Sequence, residues 1–311
     1  MDVAIGFEPG GAVCGDAHVS EVLAPNISFF CVAHGFGSNG RPGPIAAVAL
    51  STMREFLRRR LRGSGANGRA LAPSNVRALL LGAFEHANAR LFELGGSNAD
   101  YVANGASVTG ALVAGEHAFV GHVGDARAYL LRLGRVEMLT VDDAMTLDAV
   151  PSSAVGLAQR PRRRLLWRSL GTQAKLEASI AHVELIPGDR LVLCTDGFHR
   201  ALGSDELGSA LADDASSSET IARLLQVVRA RGIRQNATLV IARDLLAAAP
   251  ASNVPGLPLR RVASAVVLIV TLALGWMWVV ADHPTQGSLP ASPPMQQTSI
   301  QQSSAQQQPS R

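Results

Sequence analysis

Residues 188–198 read "GDRLVLCTDGF": a Gly-Asp turn, a short unbroken apolar run, and an aspartate beside a glycine. The run has the length and composition of a buried strand, and the turn after it presents a carboxylate where converging loops build sites. Three other stretches also set a small polar or acidic residue in a turn next to a strand-like run: "CGDA" (14–17), "AHGFG" (33–37) and "VGDAR" (123–127). A fifth, "RQNAT" (234–238), precedes a strand instead. Aspartate in such a place suits a hard divalent cation, because the carboxylate concentrates charge and glycine lets backbone carbonyls approach. A single Asp-Gly more often caps its own turn, so it is the recurrence that points to a site.

Around these turns the chain alternates in groups. "ISFFCVA" (27–33) reads as a strand. Two amphipathic helices follow, one with Ile45, Ala49, Met53, Phe56 and Leu57 at helical spacing, the other with Val76, Leu79, Leu80, Ala83, Ala87 and Leu91. "ASVTGALVAG" (106–115), "HAFVGHV" (117–123) and "RAYLLRL" (127–133) read as an antiparallel meander joined by short turns. "DRLVLCT" and "NATLVIARDL" add strands, separated by one helix from Ser204, with Asp205 and Glu206 in its first turn, and another from about Ser218 to Gly232. Strands and helices that cluster in this way predict an α+β fold with antiparallel sheet in layers.

The chain has 311 residues and a formal net charge of +3. That balance does not indicate nucleic acid, and no basic stripe interleaved with aromatics offers a stacking groove. "RRRLR" (58–62) reads as a solvated helix end and "RPRRR" (160–164) as an exposed loop or edge. Cys14, Cys31 and Cys194 are widely spaced without a CxxC, a pattern of neither a disulfide framework nor a zinc site. Cys31 and Cys194 sit in apolar runs as core thiols.

"VASAVVLIVTLALGWMWVVA" (262–281) carries no charge, and about 20 residues at 1.5 Å rise match a hydrocarbon core of roughly 30 Å. It reads as a single transmembrane helix. Arg260 and Arg261 precede it, and after it no Lys or Arg occurs before Arg311. Positive-inside charge bias then predicts a cell-membrane protein with residues 1–261 cytoplasmic and the tail outside. The tail (282–311), rich in Gln, Ser and Pro, reads as disordered, and 246–261 as an Ala/Pro/Gly linker, leaving 2–245 as the folded domain. The N-terminus lacks the basic and apolar regions of a cleavable signal peptide.

In order along the chain, "AHGFG", "GASVTGALV", "VGDARAYLLRLGRVEMLTVDD", "LLWRSLGT", "PGDRLVLCTDGFHRAL" and "QNATLVIARD" resemble the PPM-type, type 2C-like, metal-dependent protein serine/threonine phosphatases. The resemblance covers nearly all of 2–245. It implies a four-layer α/β/β/α sandwich, two antiparallel sheets flanked by helix pairs, with a binuclear magnesium or manganese site at one end and hydrolysis of phosphoserine or phosphothreonine by a metal-bound water. Asp196 matches a family metal ligand, Asp125 a third-metal ligand of many bacterial members, Asp16 the aspartate ending the first motif, and Gly35 a residue whose carbonyl meets the second metal.

The departures lie at the centre of that mechanism. His34 stands where the family has the aspartate bridging both metals, Gln235 replaces the aspartate of the final Asp-Asn pair, Gly11 replaces a phosphate-binding arginine, and Cys14 and Gly15 replace an Asn/Glu pair. A neutral imidazole offers one lone pair and cannot bridge two hard cations as a carboxylate does. These changes predict a degenerate, membrane-anchored phosphatase-like protein, a pseudophosphatase, that binds a phosphoprotein or a serine/threonine kinase partner. The alternative is an active enzyme whose His34 and Asp196, with Asp16 or Asp125, hold one softer ion such as manganese, iron or zinc. His34 itself is either a ligand or a turn residue satisfied by a local hydrogen bond. His122 and His199 are candidates for a compensating nitrogen, and His18 a more remote one. The topology has a direct test: protease added outside intact cells should trim the chain after residue 281 and spare the large domain, and the reverse pattern would overturn the orientation.

Overall fold

The computed structural model describes residues 1–10, 15–37, 44–63, 71–97, 104–147, 163–211, 215–233 and 235–246. The chain divides into two compact units, Met1–Ala251 and Ser252–Arg311. The second unit, which contains the expected span 262–281 and tail 282–311, lies outside the described residues, as does the linker beyond 246. Among the described residues no helix is long and apolar enough to cross a membrane.

In chain order the elements are β1 (Asp2–Glu8), β2 (Asp16–Ala24), β3 (Ile27–Phe36), α1 (Ile45–Gly63), α2 (Pro73–Ser97), β4 (Gly105–Ala114), β5 (His117–Val123), β6 (Arg127–Arg132), β7 (Arg135–Met138), β8 (Ala144–Leu147), β9 (Arg163–Leu166), β10 (Ser179–Glu184), β11 (Arg190–Cys194), α3 (Asp196–Ala201), α4 (Ser204–Leu211), α5 (Ser217–Ala230) and β12 (Ala237–Arg243). One sheet has the order β1-β12-β11-β6-β7, the other β10-β5-β4-β3-β2, and β8 pairs β9 separately. The named pairs in both large sheets are antiparallel.

The apolar runs follow from burial on two faces. On β3, Phe30 and Val32 join Ala128 and Leu130 of β6, Leu191 and Leu193 of β11 and Val240 of β12 in a layer between the sheets. The alternate residues Phe29, Cys31 and Ala33 face the α1–α2 side, packing with Met53, Leu57, Leu80, Ala83 and Phe84. The other sheet repeats the scheme, with Val192, Cys194, Leu239 and Ile241 packing against Leu207 of α4 and Ile221, Leu224 and Val228 of α5. A strand that is wet on neither face has no reason to alternate apolar with polar, so it reads as a continuous apolar run. The result is the α/β/β/α sandwich. Cys31 and Cys194 are buried thiols, and burial pushes both pKa values up.

The helices end where their local chemistry dictates. Ser216 caps α5 with its hydroxyl on the Glu219 N–H, and the Glu219 carboxylate returns to the Ser216 N–H, a reciprocal capping box. The helix that begins at Ser204 stops at Leu211, and a short helix at 196–201, absent from the sequence expectation, follows the "CT" of β11.

Two expectations are corrected. The meander of three strands is a hairpin of β4 and β5 only, because β6 belongs to the opposite sheet. Gly124, at φ +104°, turns the chain across, and the Asp125 and Ala126 N–H groups donate to Ser107 Oγ at 2.8 and 2.7 Å rather than to a ladder partner. A left-handed conformation of this kind needs glycine, and a Cβ there would also lie 2.5 Å from Ser107 Oγ. Likewise, "AHGFG" is not a turn after a strand. His34, Gly35 and Phe36 continue β3, paired with Ser107, Ala106 and Gly105 of β4.

Phe84, 1% exposed, seats α2 on the sheet over Gly121, where a Cβ would come within 2.4 Å of the ring. Phe84→Ala should lower the unfolding free energy by about 3–5 kcal/mol. Gly121→Ala should also destabilise, by overpacking. Urea unfolding of the full-length chain checks both, and a loss under about 1 kcal/mol for Phe84→Ala would show that this contact does not seat the helix.

Candidate functional site

Asp16 opens β2 directly opposite His34 on β3. Its side chain is 1% exposed, with Oδ1 2.6 Å from His34 Nδ1. Its Oδ2 accepts from Thr195 Oγ1 at 2.8 Å and from Thr238 Oγ1 at 2.6 Å. Thr195 precedes α3 and Thr238 lies on β12, so this carboxylate ties one sheet to the other. Burying an anion is tolerable only with such a set of donors. Burial by itself would depress the His34 pKa, but the hydrogen bond to Asp16 and the charges of Asp196, Asp16 and Asp125 overcome it and the net shift is upward. His34 Nδ1 thus donates to Asp16, and the neighbouring carboxylates favour its charged form.

The "VGDAR" crossing between β5 and β6 carries Asp125, which is 4% exposed. Three side chains bond the backbone of this crossing: Ser107, Asp143 and His199. Ser107 of β4 accepts the two N–H groups already given. Asp143 accepts from Gly124 N at 3.0 Å and is gripped by Arg168 through Nε and Nη2, both at 2.8 Å. Arg127 forms a similar fork on Asp142 at 2.9 and 2.8 Å. His199 Nε2 donates to the Asp125 carbonyl at 2.8 Å. The His199 pKa is lowered to about 4, first by burial and then by the Arg127 charge, so the ring is a neutral strut with Nε2 committed.

Asp196 is the first residue of α3 and is 3% exposed. One helical turn on, Arg200 Nη2 lies 3.4 Å from Asp196 Oδ2 and 3.8 Å from Asp125 Oδ2. Its Nη1 donates to Gln235 Oε1 at 3.3 Å. The strand-leading segment 235–236 passes close by. Asn236 Oδ1 accepts from Gly10 N at 3.1 Å, and a Cβ on Gly10 or on Gly197 would come 2.0 Å from the Gln235 or Asn236 carbonyl oxygen. Glycine is needed at both places because backbone meets backbone. Among the described residues Asp196 Oδ1 has no hydrogen-bond partner, and it is buried.

The model of the protein phosphatase 2C family matches residues 8–241. The chain belongs to this PPM-type phosphatase family. It is 30% identical over 141 residues to the serine/threonine protein phosphatase PstP of Mycobacterium tuberculosis, covering 44% of this chain and 27% of PstP. It is 27% identical over 153 residues to the serine/threonine phosphatase stp of Listeria monocytogenes, covering 48% of this chain and 61% of stp. The solved structure of M. tuberculosis PstP superposes with a TM-score of 0.62 at 22% identity, over 77% of this chain and 96% of that one. The Pseudomonas aeruginosa protein PppA, described as a key regulatory component of T6SS, superposes at 0.62 and 23% identity, over 78% of this chain and 96% of that one. A further PstP structure, at 0.60 and 22% identity over 77% of this chain and 96% of that one, is a complex with 2 manganese ions.

The PPM fold brings Asp16, His34, Asp125, Asp196 and Gln235 to one end of the sandwich, with Gly35 beside His34 on β3. It does not bring every candidate there as a ligand. His199 braces the Asp125 turn, His122 on β5 bonds Thr109 Oγ1 at 2.8 Å, and His18 is exposed on β2. Gly11 and Cys14 lie outside the described residues. The residues present do not fit a pair of dications. Asp16 is committed to three donors, His34 donates to it and is no acceptor there, and a guanidinium touches both Asp125 and Asp196. Among the described residues no group of three or more His, Cys, Asp or Glu side chains could hold a metal ion.

Sequence reasoning missed Arg200, Ser107, Asp143, Thr195 and Thr238. Arg200 left one signal, its place four residues after Asp196, which on a helix makes the two neighbours. The others are ordinary hydroxyl and acidic residues whose roles appear only across sheets. Asp16→Ala should cost about 3–5 kcal/mol of stability, because three partners lose a buried acceptor. Asp196→Asn should stay within about 1 kcal/mol of wild type. Denaturant unfolding compares them, and equal losses would show that Asp196 is as tightly satisfied as Asp16.

Proposed function

We propose that this chain is a membrane-anchored PPM-type phosphatase-like protein that binds a phosphoprotein or signalling partner, a serine/threonine kinase or its substrate, at a site not assembled for two-metal hydrolysis. The observation that carries this is the occupation of the acidic site by the protein's own cations. His34 is paired with Asp16 at 2.6 Å, and Arg200 sits between Asp125 and Asp196. Three carboxylates converge there against two resident positive groups, and the bridging carboxylate of the family is replaced by a donor. Loss of acidic charge at 34 and 235 weakens attraction for dications in a confined site. What remains is a shaped, charged end of the sandwich that can recognise a phosphorylated surface without cleaving it. Membrane attachment is supported by the uncharged segment 262–281.

One observation favours a second reading, an active phosphatase with an altered single-ion site. The buried, unpartnered Asp196 Oδ1 is an acceptor that a manganese or magnesium ion would satisfy. In that case Asp196 and His34 would hold the ion, which would supply Lewis-acid charge to a phosphoryl group, and His34 would first have to release Asp16.

Assays of the full-length chain on p-nitrophenyl phosphate and a phosphothreonine peptide, with magnesium, manganese, zinc or iron, separate the two. The degenerate reading expects no turnover above the metal blank. It also expects metal-dependent turnover to appear in the double variant His34→Asp, Gln235→Asp. Wild-type turnover that requires metal and disappears in Asp196→Ala would sink it.

A further inference from the structure

We infer that Arg200 is a resident cation: its guanidinium takes the place between Asp125 and Asp196 that a divalent ion would need, keeping that acidic pair folded without metal and excluding metal from it. This deepens the degenerate-site reading and rests on it.

The geometry is unlike that of the other buried-carboxylate arginines here. Arg127 and Arg168 each fork onto one carboxylate, with both contacts at 2.8–2.9 Å. Such bidentate pairs lock one partner in a fixed plane. Arg200 instead stands 3.3, 3.4 and 3.8 Å from acceptors on Gln235, Asp196 and Asp125. These come from three separate segments: the approach to β12, the start of α3 and the β5–β6 crossing. A group set centrally among several acceptors, tight to none, works as a shared point charge. That is the electrostatic part that a metal ion plays among convergent carboxylates.

The two aspartates need such a charge. Their side chains are only 6% and 5% exposed, and like charges in one poorly solvated place repel each other, a repulsion that a cation touching both offsets. His34 is paired with Asp16, and Arg200 Nη2 touches both Asp125 and Asp196.

Its position is also held from behind. Asp196 and Arg200 are one turn apart on α3. That helix is pinned to the Asp125 turn by His199 Nε2 at 2.8 Å and pressed against the Asn236 carbonyl through Gly197. A tethered cation has an effective concentration that an ion in solution must outcompete. Arg200 also lines a cavity of about 290 Å³ with Gly197, Ala201, Arg231, Ile233 and Gln235, and its side chain, 41% exposed, has room to move outward.

The test uses the full-length chain, with manganese as the probe. In metal-free buffer Arg200→Met should lower the thermal midpoint by several degrees, on the order of 2–8 °C. Millimolar manganese should restore much of that loss while leaving the wild-type midpoint unmoved. By calorimetry, manganese should bind Arg200→Met at least about tenfold more tightly than wild type, and adding Asp125→Asn should abolish the gain. Arg200→Lys, which keeps a charge, should stay near wild type on both measures. Manganese affinity equal in wild type and Arg200→Met would overturn the inference, as would an unchanged metal-free midpoint in Arg200→Met. Neither outcome depends on hydrolysis. Metal-dependent turnover by the wild type would overturn the degenerate-site reading, whereas the resident-cation inference stands or falls on the difference that Arg200 makes.

Discussion

The carboxylate of Asp16 is the point on which the site depends. It starts β2 in one sheet, yet its two oxygens reach His34 on β3, the hydroxyl of Thr195 just after β11 and that of Thr238 on β12 of the other sheet. A buried anion with three donors from three segments sets the distance between the two sheet ends. With that distance set, the crossing at Gly124 and the start of α3 are brought together, and Asp125 and Asp196 face the same guanidinium. The apolar layer between the sheets supplies most of the cohesion, but it is non-directional. The polar end decides how the loops stand.

From this tie follows the altered electrostatic logic of the site. A family frame that gathers carboxylates must neutralise them. Here basic side chains of the chain itself stand against the carboxylates, His34 beside Asp16 and Arg200 beside Asp125 and Asp196. A histidine at position 34 engages the adjacent aspartate in a hydrogen bond, so that Asp16 Oδ1 accepts from His34 while Oδ2 accepts from two threonines.

Much of the fold was legible because it rests on local patterns. The apolar runs at 27–33 and 190–194 are strands buried on both faces, and the helical spacing from Ile45 and from Val76 marks α1 and α2. What failed was connectivity at the crossings. "HAFVGHV" and "RAYLLRL" look like consecutive strands of one meander, since nothing local distinguishes a turn that stays in its sheet from one that leaves it. That decision lies in Gly124 and in Ser107, which is distant in sequence and captures two N–H groups. The six-residue α3 was missed for the opposite reason: it is too short to show a period.

For the site, residue types and order determined which positions belong to the family frame and which depart from it, since an aspartate or a histidine at 34 is visible without any coordinates. The sequence likewise determined the charge-free stretch 262–281. The tertiary structure alone decided what the departures mean. It paired His34 with Asp16, turned His199 into a brace for a backbone carbonyl, and set Arg200 against two aspartates 71 positions apart along the chain. The physical reason is that hydrogen bonds and ion pairs act through space over a few ångströms, whereas sequence pattern reports only the periodicity of burial along the chain.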